Sequence, residues 1–210
     1  MAVLALVSAS CAKQDEGKAP ITKPQITIKG GRLTPEGLWA MGRIGSVRAD
    51  IETGEVAYTV SYYSVEENRS TSWIRVCNPF DDMHLDDEFV GYEPAWFGNS
   101  GYLAYMRGAQ LYLRRDKEEV EVEGAEDVEG FLFSPMRDKI ILIKQVKTVQ
   151  TTQDKYPDLP LATGHMHEDL MYKHWDEWTE TAPQPFVCPL EIGYYGEGER
   201  IKCAKVGEGV

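Results

Sequence analysis

The feature that most constrains this chain is a strand–turn–strand unit that occurs three times. Residues 47–50 lead through Glu52-Thr53-Gly54 into the alternating run 55–60. Residues 94–97 lead through Gly98-Asn99-Ser100-Gly101 into 102–105, and residues 131–135 lead through Met136-Arg137-Asp138 into 139–143. With Ala57, Ala104 and Ile141 aligned, the units lie 47 and 37 residues apart, which brackets the ~40–45-residue period of a four-stranded propeller blade. A third strand follows the first two hairpins at 72–76 and 109–113, and Val120-Glu121-Val122-Glu123 alternates like a half-exposed fourth. One such sheet cannot bury both of its faces, whereas sheets stacked around an axis can. The expected fold is therefore all-β: a partial β-propeller of about three four-stranded antiparallel blades with a short helical insertion. A β-sandwich is the alternative; it has the strand content but no reason to repeat the hairpin. Because the facing surfaces of stacked sheets must be dry, the expected core is Trp39, Val56, Tyr58, Trp73, Trp96, Leu103, Tyr105, Phe131, Phe133 and Ile141.

Around the repeat the chain divides into residues 1–24, a signal or lipoprotein segment with its tether, and residues 25–210, an incomplete propeller domain with an insertion at about 147–183. The first ten residues are apolar and end in small side chains just before Cys11, as a signal segment does at its cleavage site. They are too few to span a bilayer, which needs ~20. Cys11 is expected to be lipidated in an exported protein, periplasmic or held at the outer membrane. A plain apolar N-terminus is the alternative, since no Lys or Arg precedes the apolar stretch. Residues 12–18 read as a polar tether. Residues 25–29 alternate as a strand that Gly30-Gly31 would turn. Residues 34–42 read as a short helix, with Thr34 as N-cap, Pro35 at the first helical position and Gly42 past the end. Within the insertion, 148–160 is polar with two prolines, and His167, Met171, His174 and Trp178 fall on one helical face. Phe186-Val187-Cys188-Pro189-Leu190 is expected to return as the outer strand of the third blade, with no further blade after it.

Composition excludes several partners. The formal net charge is −12, and Lys and Arg never run beyond two in a row. Nucleic acid and anionic lipid surfaces both demand a basic footprint that is missing here, so membrane contact is expected only through the lipid on Cys11. The four cysteines form no C-x-x-C pair, which excludes zinc ribbons and thioredoxin-like redox chemistry. No cofactor and no metal are expected. Cys188 and Cys203 either close a loop worth about 3 kcal/mol or are two buried thiols.

Asp154-Lys155-Tyr156-Pro157-Asp158-Leu159-Pro160 and Asp169-Leu170-Met171-Tyr172-Lys173-His174-Trp175-Asp176-Glu177-Trp178 resemble the propeller insertion of bacterial serine peptidases of the prolyl oligopeptidase family, in its dipeptidyl peptidase and acylaminoacyl peptidase branch. Thr34-Pro35-Glu36 with Leu38-Trp39, Val60-Ser61-Tyr62-Tyr63 with Glu66-Glu67-Asn68, and Glu129-Gly130-Phe131 with Phe133-Ser134-Pro135 carry the same resemblance, over roughly residues 33–190. It implies an N-terminal propeller that caps an α/β-hydrolase domain holding a Ser-Asp-His triad. These 210 residues contain no G-x-S-x-G elbow. The nearest string, Gly98-Asn99-Ser100-Gly101, has the wrong spacing and lies in a hairpin turn. No catalytic residue is assigned, and the chain is expected to be cut short before its catalytic domain. The implied function is a non-catalytic propeller that gates and positions peptide substrates for a serine exopeptidase. The alternative is a stand-alone exported binding or interaction protein.

The resemblance also implies that propeller carboxylates hold a substrate's free N-terminal ammonium by charge-assisted hydrogen bonds. Candidates for this role are Asp176 and Glu177, beside His174 and between two tryptophans, and Glu66 with Glu67 ahead of Asn68. Each has a plainer reading as a solvated surface group. His165, His167 and His174 contain no i, i+4 pair, so they are not read as metal ligands. Residues 81–88 lack the glycine and spacing of a calcium loop and read as a hydrated turn. The acids between 116 and 129 read as an exposed strand edge, where charge discourages strand addition.

Overall fold

Period-two alternation becomes three consecutive antiparallel meanders. The computed structural model describes residues 18–26, 29–81, 85–98, 101–136, 138–161, 164, 180–193 and 200–203. The first sheet contains β1 (Arg43–Ala49), β2 (Val56–Ser64), β3 (Arg69–Cys77) and β4 (Leu85–Val90). The second contains β5 (Tyr92–Phe97), β6 (Tyr102–Arg107), β7 (Gln110–Arg115) and β8 (Glu118–Glu121). The third contains β9 (Val128–Phe133), β10 (Lys139–Lys147), β11 (Thr181–Gly193) and β12 (Arg200–Cys203). Each strand pairs with its sequence neighbour, so the fold is an all-β, partial propeller of four-stranded blades.

The blades are held together by apolar interfaces. Ala57, Ile74, Val76 and Phe89 of the first sheet meet Leu103 and Tyr105 of the second. On its other face the second sheet presents Tyr102, Ala104 and Met106 to Phe131, Ile140, Leu142 and Cys188 of the third. This explains the unbroken apolar run of β6: a strand covered on both faces has no polar side to alternate with. Gly91, between the first two sheets, has no room for a side chain. A Cβ there would lie 2.5 Å from Tyr105 Cδ2 and 3.0 Å from Ile74 Cδ1.

Several expectations are corrected. Trp39 is 44% exposed. The helix α1 (Pro35–Trp39) forms as its signals predict, with Thr34 Oγ1 accepting from the Gly37 N–H at 3.1 Å. It lies outside the blade, however, where the Trp39 ring packs at a tilt against Tyr63 and under Arg43. Ile141 is half-buried because it faces away from the second sheet. Its cross-strand neighbours Leu132 and Val187 are 60% and 57% exposed, and among the described residues no sheet covers that row. Residues 25–26 form no strand, and Lys29–Gly31 is a 3-10 turn through Gly30 at φ 68°. Phe186-Val187-Cys188-Pro189-Leu190 lies in the third strand of its sheet, not the outer one. The outer strand is β12, within the stretch expected to fit no blade. Cys188 is a buried thiol facing the second sheet, and Leu190 is the residue opposite Cys203. Asp86, Asp87 and Glu88 belong to β4 rather than to a hydrated turn.

Candidate functional site

In a meander, alternate hairpins emerge at opposite ends of the sheet. The β1–β2, β3–β4, β5–β6, β7–β8 and β9–β10 turns share one rim: the Phe97 ring packs at a tilt against Phe133, centroids 4.7 Å apart, beside it. A cleft of about 210 Å³ opens there between the first two blades, lined by Glu55, Asp87, Phe89, Gly101, Arg114 and Lys117. The β2–β3 turn, the β6–β7 turn and the roots of the long β10–β11 connection emerge at the other rim. The Thr148 N–H donates to the Glu180 carbonyl at 2.9 Å and closes those roots.

Glu66 and Glu67 sit on that second rim, in the exposed β2–β3 turn. Glu67 is already neutralised by Arg69 at 2.6 Å, and its N–H donates to Ser64 Oγ at 3.2 Å. The Tyr63 hydroxyl donates to Asn68 Oδ1, and Asn68 takes the left-handed φ of 50° that closes the turn. Glu66 is thus the more available of the two for an incoming cation. Cys11, His174, Asp176 and Glu177 lie outside the described residues, as do His165, His167 and Trp178.

A more constrained carboxylate was missed in the sequence. The first strand of every blade carries a bulge, between Ile44 and Val47, between Tyr92 and Ala95, and beside Glu129, where pairing skips from Val128 to Gly130. These strands lie where the blades converge: the Trp96 indole N–H donates to the Arg48 carbonyl at 3.0 Å across the first two. Glu93 occupies the second bulge at φ 52° and precedes the buried Pro94. A left-handed glutamate costs about 1–3 kcal/mol, and a following proline restricts its backbone further. Its carboxylate reaches the third blade, since a Cβ on Gly130 would lie 3.6 Å from Glu93 Oε2. Burial pushes its pKa up, against the pull of Arg48 from the first blade. Glu129 stands at the corresponding bulge of the third blade and accepts from Gln145 Nε2 at 2.9 Å. The available signal was Tyr92-Glu93-Pro94, a charge and a proline inside an otherwise apolar strand.

A second polar group acts as a clamp. Arg114 of β7 donates to both oxygens of Asp87 in β4 and lies over the Phe89 ring at 4.3 Å. Arg107 donates twice to Glu119, at 3.1 and 2.5 Å, and the Tyr105 hydroxyl donates to the same carboxylate. Burial raises Glu119, but the hydrogen bonds from Arg107 and Tyr105 outweigh it and hold the group below its ordinary value. Burial and the hydrogen bond to Glu119 both push the Tyr105 phenol up. The acidic edge at 118–121 is thus only partly a solvated one. Among the described residues no group of three or more His, Cys, Asp or Glu could hold a metal ion.

No family profile matches the chain. A protein named dipeptidyl-peptidase 5, from Porphyromonas gingivalis, is 32% identical over 195 residues, which is 88% of this chain and 28% of that protein. Over these residues the chain is similar to the propeller portion of the prolyl oligopeptidase family. A second family member of the same name, from Porphyromonas endodontalis, is 28% identical over 202 residues, 90% of this chain and 29% of that one. The chain thus spans less than a third of the length of these relatives. Among solved structures, uncomplexed acylaminoacyl peptidase of Pyrococcus horikoshii superposes with a TM-score of 0.52 at 13% identity, over 70% of this chain and 23% of that one. An acylaminoacyl peptidase in complex with Z-Gly-Gly-Phe-chloromethyl ketone gives 0.53 at 12% identity, over 72% and 24%. At these identities the likeness is one of fold.

Proposed function

We propose that this chain is a non-catalytic propeller portion that gates and positions peptide substrates for a serine exopeptidase active site on an α/β-hydrolase domain outside these residues. The observation that carries the reading is the 195-residue match to dipeptidyl-peptidase 5 by a stack of blades with no nucleophile elbow. Hydrolysis needs an activated Ser, a His base with its carboxylate, and an oxyanion hole; positioning needs only a shaped passage and a few placed charges. Glu66 and Glu67 on one rim, and His174, Asp176 and Glu177 in the insertion, are the candidates for meeting a free N-terminal ammonium. We further propose that the protein is exported and anchored by lipid on Cys11, with peptides as its partners.

The test has two arms. The purified 210-residue chain should neither turn over dipeptidyl-chromophore substrates nor be labelled by a fluorophosphonate. A chimera in which it replaces the matching segment of the Porphyromonas gingivalis dipeptidyl-peptidase 5 should do both. In the chimera, Glu66→Gln and Asp176→Asn should raise KM for peptides with a free N-terminus more than for blocked ones. Stoichiometric labelling of one Ser in the short chain would overturn the non-catalytic reading, and equal KM effects on both substrates would overturn the ammonium role.

A further inference from the structure

The cleft between the first two blades lies between consecutive four-stranded sheets, and its two walls carry opposite charge. The first blade supplies Glu55, after the β1–β2 turn, and Asp86 of β4; the second supplies Lys117, in the β7–β8 turn. The lining between them is apolar, with Val76 and Phe89 from one blade and Trp96 and Leu103 from the other.

Most charges of the cleft have partners. Arg114 pairs with Asp87, Arg115 lies 3.5 Å from the Asp116 carboxylate, and Asp86 accepts from the Asn78 N–H at 3.2 Å. Glu55 and Lys117 do not share in this. Glu55 accepts from the Thr53 hydroxyl at 3.1 Å, a neutral donor that Asp50 shares. Among the described residues neither Glu55 nor Lys117 has an ion-pair partner. Lys117 also stands in an unusual place. With Asp116 it forms the centre of a two-residue hairpin turn, at φ 51° and 69°. The second position of such a turn favours glycine. Lysine there takes on left-handed backbone strain and sets an ammonium on the cleft wall.

We propose that this cleft binds a short free peptide in its zwitterionic form, a dipeptide with an apolar side chain. The peptide ammonium meets Glu55, its carboxylate meets Lys117, and its side chain lies against Phe89 and Trp96. At about 210 Å³ the cleft is smaller than the ~300–1,000 Å³ pockets of drug-sized ligands, so the occupant is small. A purely anionic ligand would face Glu55 and Asp86, and a purely cationic one would face Lys117. A single amino acid carries both charges on one carbon, whereas these walls belong to separate blades. A trans peptide unit parts the charged ends by a further ~3.8 Å. Such a ligand bridges the two blades whether or not the propeller gates an active site.

The probe is the dipeptide Ala-Leu, titrated into the isotope-labelled full chain. The readout is the Trp96 indole N–H resonance, assigned with Trp96→Phe; that N–H is anchored on the Arg48 carbonyl. Ala-Leu should move it saturably, with half-saturation on the order of millimolar. N-acetyl-Ala-Leu and Ala-Leu amide, each lacking one charge, should need roughly tenfold more. Glu55→Gln should lose the preference over the acetylated peptide and keep that over the amide, and Lys117→Gln should do the reverse. A resonance unmoved by Ala-Leu, or moved as readily by both blocked peptides, would overturn the site. So would a folded variant that retains the preference it is expected to lose.

Discussion

Asp87 and Arg114 lie in different blades and are joined by two hydrogen bonds, at 2.6 and 3.2 Å, on the wall of the cleft between the first and second sheets. Both side chains are more than four-fifths buried, so the pair is costly to break from one side. Asp87→Ala should destabilise the fold by about 1–3 kcal/mol. In a double-mutant cycle with Arg114→Ala, read by urea unfolding, the two losses should add to clearly more than the loss in the double variant.

Glu93 should make stability fall with rising pH. Its folded-state pKa is raised above the ordinary 4.5, so the folded chain binds the proton more tightly than the unfolded one. Stability is therefore fullest below the ordinary value and declines as pH climbs through the raised one. Glu93→Gln removes the decline. Its Tm should exceed that of wild type at pH 7, and the gap should shrink toward pH 4. A gap that grows on acidification would contradict the burial of this carboxylate.

Gly91→Ala should wedge the first two blades apart. The added methyl meets the Tyr105 ring at 2.5 Å and Ile74 at 3.0 Å, both in the interface and neither at a loose end. A loss of about 1–3 kcal/mol with a changed near-UV dichroism is expected. Gly54, facing Phe80 at 3.6 Å, lacks this crowding, but its φ of 75° makes alanine there a backbone cost instead.

Asp154 should titrate at about 2, because Lys147 and the Thr151 backbone and hydroxyl all donate to it. Carbon-13 NMR of the side-chain carboxyl checks the value. Lys147→Ala should return the titration toward 3.8 while leaving the Thr151 capping box in place.

Mass spectrometry of the mature exported protein should find a di- or triacylated N-terminus at Cys11, as expected for a segment of this pattern. An intact Met1 in the membrane fraction would reject the anchor.

What was legible in the sequence was what depends on period and turn chemistry. Ala57 and Ala104 align because each faces the next blade, and Thr34-Pro35 starts a helix through local hydrogen bonds. What escaped was set by distant partners. Trp39 looked like core because it is large and apolar, but among the described residues no sheet covers α1. Asp87 looked solvated because its neighbours are acidic, and its partner Arg114 lies 27 residues away. Glu93 offered only a charge and a proline inside a strand, and its meaning came from Arg48 and Gly130 in the flanking blades. Val187 and Leu190 lie in a strand longer than a blade normally needs, so the outer strand was sought there and not at Arg200–Cys203.

The bare row of Leu132, Ile141 and Val187 has a counterpart on the first sheet, where Ile21 packs on Val60 and Tyr62. In the described stack, the first sheet is therefore covered in part by residues made before it, and the row on the third sheet is apolar and bare. During synthesis, which proceeds N-terminus first at ~5–20 residues per second, each blade leaves the ribosome to find a completed surface on which to condense. Synthesis in this direction thus favours condensation in blade order, each new sheet meeting the apolar face of the one before it.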